Sequence, residues 1–217
     1  MLFLRGAPAG ESKVWDEVER VCRGEISKFW NRNKNVEGSL RMAKKGLTHL
    51  YYGSGKGKTT AALGLALRAS GAGLRVVIVQ FLKDRPCGEL TQLALLPNIT
   101  VLRGKAGKAF IRGLDEAERE ATREIQNANL QRARVLVQRG QCDLLILDEA
   151  LDACQLGLLD EPILADLICH KPAALELVVT GHRPVDWLIE QADYVTEMVK
   201  HKHPYDVGIK ARRGIEF

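Results

Sequence analysis

Gly53-Ser54-Gly55-Lys56-Gly57-Lys58-Thr59-Thr60 follows the strand-like run Leu47 to Tyr52 and opens an alanine- and leucine-rich segment. A strand, a glycine-rich turn and a helix start are the setting in which Gly-Lys-Thr grips phosphate. Glycines let backbone N–H groups curl around phosphate oxygens. The helix beginning near Lys58 adds its N-terminal partial positive charge. Lys58 supplies a point charge for a phosphate, and the Thr59 hydroxyl a ligand for Mg²⁺. Residues Gly53, Ser54, Gly55, Lys56, Gly57, Lys58, Thr59 and Thr60 are therefore candidate nucleotide contacts. The loop is one residue short of the general pattern, because only Ser54, Gly55 and Lys56 separate Gly53 from Gly57. A shorter loop holds phosphates differently, so attack on the γ-phosphate is not the default chemistry.

About 90 residues later, Leu144-Leu145-Ile146-Leu147 runs into Asp148-Glu149. An apolar strand ending in two carboxylates is the expected second half of such a site, holding Mg²⁺ directly or through water. Thr59, Asp148 and Glu149 are the candidate metal ligands. Gln80-Phe81-Leu82-Lys83, with Gly88-Glu89 after it, lies where the second strand spills into the cleft. Gln80, Lys83 and Glu89 join the candidates there, and Arg183 in Thr180-Gly181-His182-Arg183 has the same placement after a later strand. His201 and His203 lack a third ligand and read as surface residues. No nucleophile paired with a base is legible.

The elements that position these residues alternate. Helices are expected over Thr59–Ser70, Asp115–Arg139 (capped by Asp115 and Glu118), Asp160–Ile168 and Val185–Gln191. In the helix over Asp115–Arg139 the acids gather early and the arginines late, complementing the helix dipole. Strands are expected over Leu74–Phe81, Ile99–Leu102, Leu144–Leu147, Leu175–Thr180 and Tyr194–Val199. This order predicts an α/β fold of the P-loop NTPase, RecA-like kind, with a mostly parallel sheet flanked by helices. The expected domain spans 44–217. Residues 1–43 form an extension with one amphipathic helix over 12–30. Either it is a translated appendage, related to a lid, or the chain starts at Met42.

The chain has 217 residues, 46% apolar and 27% charged, ordinary for a globular domain. The net charge of +5 is modest and scattered, and no aromatic pattern interleaves it, so nucleic acid is not an expected partner. No apolar run approaches the roughly 18 residues of a membrane span. The start is too short in its apolar part for a secretory signal, which makes the cytoplasm the expected compartment. Five widely spaced cysteines without Cys-x-x-Cys point to reduced thiols.

Together these residues resemble the P-loop type of ATP:corrinoid adenosyltransferase. The resemblance covers about Lys44 to Phe217. It rests on the short loop, on Val79-Gln80-Phe81-Leu82-Lys83 with Gly88-Glu89, and on Leu147-Asp148-Glu149. The tail His203-Pro204-Tyr205-Asp206-Val207-Gly208-Ile209-Lys210-Ala211-Arg212-Arg213-Gly214-Ile215-Glu216-Phe217 is similar to the family's C-terminal signature and carries most of the specificity. The resemblance implies transfer of the 5′-deoxyadenosyl group of ATP to the Co(I) of a reduced corrinoid, with release of triphosphate. It implies Mg²⁺, ATP lying reversed in the loop, a homodimer, and an electron donor such as a reduced flavoprotein. Lys58, Thr59 and Glu149 would carry the chemistry, with Asp148 in support. The chain departs from the family pattern at Ser54, usually Asn, and at Ala150, usually Leu. The family's Phe-x-Trp pair facing the corrinoid is Phe110-Ile111-Arg112 here, so Phe110 stands without the Trp. A recombinase- or helicase-type ATPase and a non-catalytic carrier are the other readings.

Overall fold

The computed structural model describes residues 45–83, 86–105 and 113–216. The extension 1–43, its expected helix over 12–30, and Phe110 lie outside the described residues. Among the described residues, six strands and six α-helices follow in the order β1 Thr48–Tyr52, α1 Lys58–Gly71, β2 Val76–Gln80, α2 Gly88–Leu93, β3 Ile99–Arg103, α3 Glu116–Gln138, β4 Leu144–Asp148, α4 Ala150–Gln155, α5 Glu161–Cys169, β5 Glu176–Gly181, α6 Asp186–Gln191 and β6 Tyr194–Glu197. The strands form one sheet in the order β3-β2-β4-β5-β1-β6, and every pairing is parallel. The α/β expectation is borne out, and none of the described helices is long and apolar enough to cross a membrane.

β2 and β4 are buried at every position, because helices cover both faces of the sheet centre. Val77, Val79, Leu145 and Leu147 share a core with Leu130, Ala133 and Val137 of α3. Val76, Ile78, Leu144 and Ile146 face the other way, against Ala62, Ala66 and Ala69 of α1. Burying each such Val, Leu or Ile side chain contributes about 1.5–3 kcal/mol. The alanines of α1 let that helix lie close to β4 and β5.

Helix ends follow the local chemistry. Asp115 caps α3 through the N–H of Glu118, whose side chain accepts the Asp115 N–H in return, a reciprocal capping box. The late arginines do not sit in the last turn of α3. Arg139 is its C-cap, while Arg134 reaches Asp166 and the earlier Arg123 reaches Asp160, so these two serve packing between helices. α1 ends as its glycines suggest: Gly73 is left-handed at φ 84°, and the Leu74 N–H donates to the Ala69 carbonyl.

Three expectations are corrected. β2 is shorter than Leu74–Phe81, and β6 stops at Glu197 instead of Val199. The Met198 N–H still bonds the Tyr52 carbonyl, but its own carbonyl turns to the glycine loop. The short helices α2 and α4 were not anticipated.

The connection from β1 to β2 carries α1 across β5 and β4, whereas the one from β5 to β6 crosses β1 the other way. Connections therefore diverge at β1, and the crevice outside the strand carboxyl ends opens there. Both groups of candidate residues lie on this edge.

Candidate active site

The glycine loop is built into its surroundings. Gly53 and Gly57 take φ 111° and 121°, where a side chain is strained. The Gly53 N–H donates to the His182 carbonyl at 3.1 Å and the Gly55 N–H to the Met198 carbonyl at 2.6 Å. A Cβ on Gly53 would stand 2.5 Å from the Met198 oxygen, and one on Gly55 2.6 Å from it. Both contacts are with backbone, which cannot yield. Gly53→Ala is therefore expected to cost about 2–4 kcal/mol, measured by urea unfolding, as strain and overpacking combine.

With these two N–H groups engaged, the orphan N–H groups of the first turn of α1 remain for an anion. Lys58 folds back over the loop, its Nζ donating to the Gly53 carbonyl at 2.6 Å and the Gly55 carbonyl at 2.9 Å. Burial pushes its ammonium below the ordinary lysine value, and Asp152, Glu149 and Asp148 oppose that shift. Ser54, Lys56 and Thr60 are exposed along the rim.

Beside the loop, three oxygen-bearing residues meet around one cation. Asp148 ends β4 with none of its surface exposed. Its Oδ1 accepts from Thr59 Oγ1 at 3.0 Å and from Thr180 Oγ1 at 2.8 Å. Lys83 Nζ donates to Asp148 Oδ2 at 2.6 Å and to Thr59 Oγ1 at 3.2 Å, and lies 3.3 Å from Glu149 Oε1. The Glu149 N–H donates to Thr180 Oγ1 at 2.8 Å. Leu82 and Glu149 both take left-handed conformations, φ 60° and 62°, costly for residues with a Cβ. Strain of this kind, about 1–3 kcal/mol each, gathers where a site is held in a required geometry.

A hydroxyl and two carboxylates form an all-oxygen donor set suited to Mg²⁺. The ammonium of Lys83 among them shows that positive charge is at home at this point. Burial works against the charge of Lys83, but Asp148 and Glu149 hold its ammonium above the ordinary value. Burial likewise pushes the Glu149 carboxyl up, Lys83 draws it partly back, and Asp148 adds to the rise.

Other expected residues fall around this cluster. Gln80 pairs in register with Asp148 and shares the strand face of Val76 and Ile78, so its side chain faces α1. It is 1% exposed, and both ends of its amide lack a partner. Glu89 lies in the first turn of α2 beside the Cys87 thiol, which burial pushes up and this carboxylate raises further against the pull of Arg103. Arg183 is exposed, its carbonyl accepting from Gln155. Neither Glu89 nor Arg183 joins the hydrogen bonds around Asp148. His203 caps the turn Pro204–Val207 by accepting from the Tyr205 N–H, and no group of three His, Cys, Asp or Glu side chains that could hold a metal ion occurs among the described residues. Arg212 hydrogen bonds hold Glu216 down to about 2, with Lys56 of the glycine loop adding to the pull, so the tail returns toward the loop. Burial pushes the Cys142 and Cys154 thiols up to about 12, and all four described cysteines are free.

Two residues escaped the sequence reading. Asp152 on α4 accepts from the His182 N–H, and its Oδ1 lies 3.0 Å from His182 Nδ1. Its charge is the first among those sustaining the Lys58 ammonium. Spacing three residues beyond Glu149 would have placed it on the same helix face, had α4 been legible. The other is Met198, whose carbonyl anchors Gly55.

A parallel sheet with a glycine loop between β1 and α1, and a buried Asp at the end of β4, two strands away, bonded to the loop's Thr, is the arrangement of a P-loop fold. The profile of the family described as ATP:corrinoid adenosyltransferase BtuR/CobO/CobP matches residues 44–217, and the chain belongs to that family. A corrinoid adenosyltransferase of Pseudomonas aeruginosa is 35% identical over 176 residues, covering 80% of this chain and 85% of that protein. One from Escherichia coli K12 is 30% identical over 177 residues, 80% and 87% of the two chains. One from a Sinorhizobium species is 31% identical over 186 residues, 80% and 81%. The family read from the loop, the acidic strand end and the tail is borne out.

Proposed function

We propose that this protein transfers the 5′-deoxyadenosyl group of ATP to the Co(I) centre of a reduced corrinoid, in the biosynthesis or salvage of adenosylcobalamin. The carrying observation is membership of the adenosyltransferase family across 44–217, with its glycine loop and Asp148 cluster joined at one edge of the sheet. A cobalt–carbon bond forms at C5′, the C5′–O bond breaks, and its electron pair leaves with inorganic triphosphate. The corrinoid metal is the nucleophile, so the protein needs no general base. Its task is to align C5′ with the cobalt and to neutralise the departing charge.

In this reading Lys58 releases the Gly53 and Gly55 carbonyls and binds phosphate, helped by the N-terminal turn of α1. Thr59, Asp148 and Glu149 would hold Mg²⁺, which supplies neutralising charge to the triphosphate when bound. The orphaned amide of Gln80 is a polar group in want of a ligand at this edge. Arg183, Glu89, Ser54, Lys56 and Thr60 would line the approach, and the family resemblance assigns Phe110 to the corrinoid. We place the enzyme in the cytoplasm as a homodimer fed by a reduced flavoprotein. Exposed Tyr194, Val195 and Val199 along the β6 edge suit an interface between copies.

Incubation with ATP, Mg²⁺ and chemically reduced cobalamin is expected to yield the cobalt–carbon product and triphosphate in equal amounts. ADP as the main phosphate product would overturn the proposal and favour a motor ATPase.

A further inference from the structure

Lys83 occupies the centre of the oxygen cluster proposed to hold the metal. Its ammonium lies 2.6 Å from Asp148 Oδ2, 3.2 Å from Thr59 Oγ1 and 3.3 Å from Glu149 Oε1. These oxygens come from three places: the start of α1, the end of β4 and the residue after it. A Mg²⁺ ion would need them at roughly 2.0–2.1 Å. An ammonium and a divalent ion cannot share so small a set, since two like charges a few ångströms apart repel strongly in a partly dry site.

We propose that Lys83 is a resident cation that holds the metal site in the nucleotide-free protein and is displaced when Mg²⁺ arrives with a polyphosphate. Asp148 is fully buried, so it requires a positive partner at all times. Lys83 provides one until the metal does. Metal alone gains little, because it must evict a cation already well bonded. Metal with ATP gains more, since the phosphate oxygens accept the released ammonium. Lys83 thereby couples the two ligands, and the coupling is reciprocal. Leu82, left-handed at φ 60°, sets the direction of Lys83 from the strand end. Ordinary support of the fold would explain the salt bridge with Asp148. It would not explain why the same ammonium also spans Thr59 and Glu149.

The inference rests on reading Thr59, Asp148 and Glu149 as the metal site, and its test involves neither corrinoid nor turnover. A result of ADP in place of triphosphate therefore would not touch it. Mn²⁺ binding is measured from the free-ion EPR signal, without nucleotide, on the full chain, on Lys83→Met and on Lys83→Arg. Lys83→Met is expected to bind Mn²⁺ about tenfold or more tightly than the unaltered protein, and Lys83→Arg about equally. ATP should then raise Mn²⁺ affinity less in Lys83→Met than in the unaltered protein. Removing the lysine also strips Asp148 of its partner, so thermal unfolding is followed with and without Mn²⁺. The rise in midpoint should be larger in Lys83→Met even when that variant starts lower. Unchanged or weaker Mn²⁺ affinity in Lys83→Met overturns the inference. So does a gain in Lys83→Arg equal to that in Lys83→Met, or a midpoint rise no larger than that of the unaltered chain.

Discussion

Lys58→Ala is expected to reduce turnover by about a thousandfold or more, roughly 4 kcal/mol of transition-state stabilisation. In the proposed reaction charge builds on the oxygen leaving C5′ and is shared along the triphosphate. A fixed ammonium at the loop opposes that build-up more in the transition state than in bound ATP, so kcat should fall further than KM rises. The geometry explains why the chain itself survives. Lys58 contributes two hydrogen bonds to Gly53 and Gly55 carbonyls, about 1–3 kcal/mol together. In a half-buried loop water can replace them. Circular dichroism and the unfolding midpoint should therefore stay near those of the unaltered protein, while the cobalt–carbon product disappears. Lys58→Arg should not restore the rate, because a planar, forked guanidinium does not reproduce the point charge that a compact ammonium brings to the phosphate within the tight loop. Activity within tenfold of the unaltered enzyme in Lys58→Ala would remove the loop from the chemistry.

Asp148→Ala should be the most damaging change to stability among the site residues, by about 3–5 kcal/mol. The carboxylate is wholly buried and receives Lys83, Thr59 and Thr180. Deleting it leaves a half-buried ammonium and two hydroxyls without their acceptor. The strand end itself stays paired, since the Asp148 carbonyl still accepts the Phe81 N–H at 3.0 Å. Guanidinium unfolding should show a lower midpoint with unchanged slope, since the same surface is exposed on unfolding. Nucleotide-dependent metal binding should vanish along with activity. A variant as stable as the parent would mean that the cluster around Asp148 contributes nothing to the folded state.

Much of this was legible beforehand because it is local. The loop declares itself through glycines that no other residue can replace at positive φ, and Gly53 and Gly57 adopt it. The capping box at Asp115 and Glu118 depends only on atoms three residues apart. The strands β2 and β4 read as buried from their unbroken apolar runs. Helices α2 and α4, six residues each, stayed hidden, whereas α6 of the same length was expected in the gap between two strands. A helix so short has little propensity signal and is held by tertiary packing.

The amino-acid order alone determined which chemistry was available: a polyphosphate grip at Lys58 and Thr59, acids at a strand end, and a family signature in the tail. These follow from residue types at fixed short spacings, where covalent geometry limits what neighbours can do. Only the folded sheet decided who meets whom. Pairing β2 with β4 brings Lys83 to Asp148 across 65 residues, and β4 beside β5 adds Thr180. Parallel strands are joined by long crossovers, so their register depends on how whole helices bury their apolar faces. That is a property of the packed core, which no local spacing records.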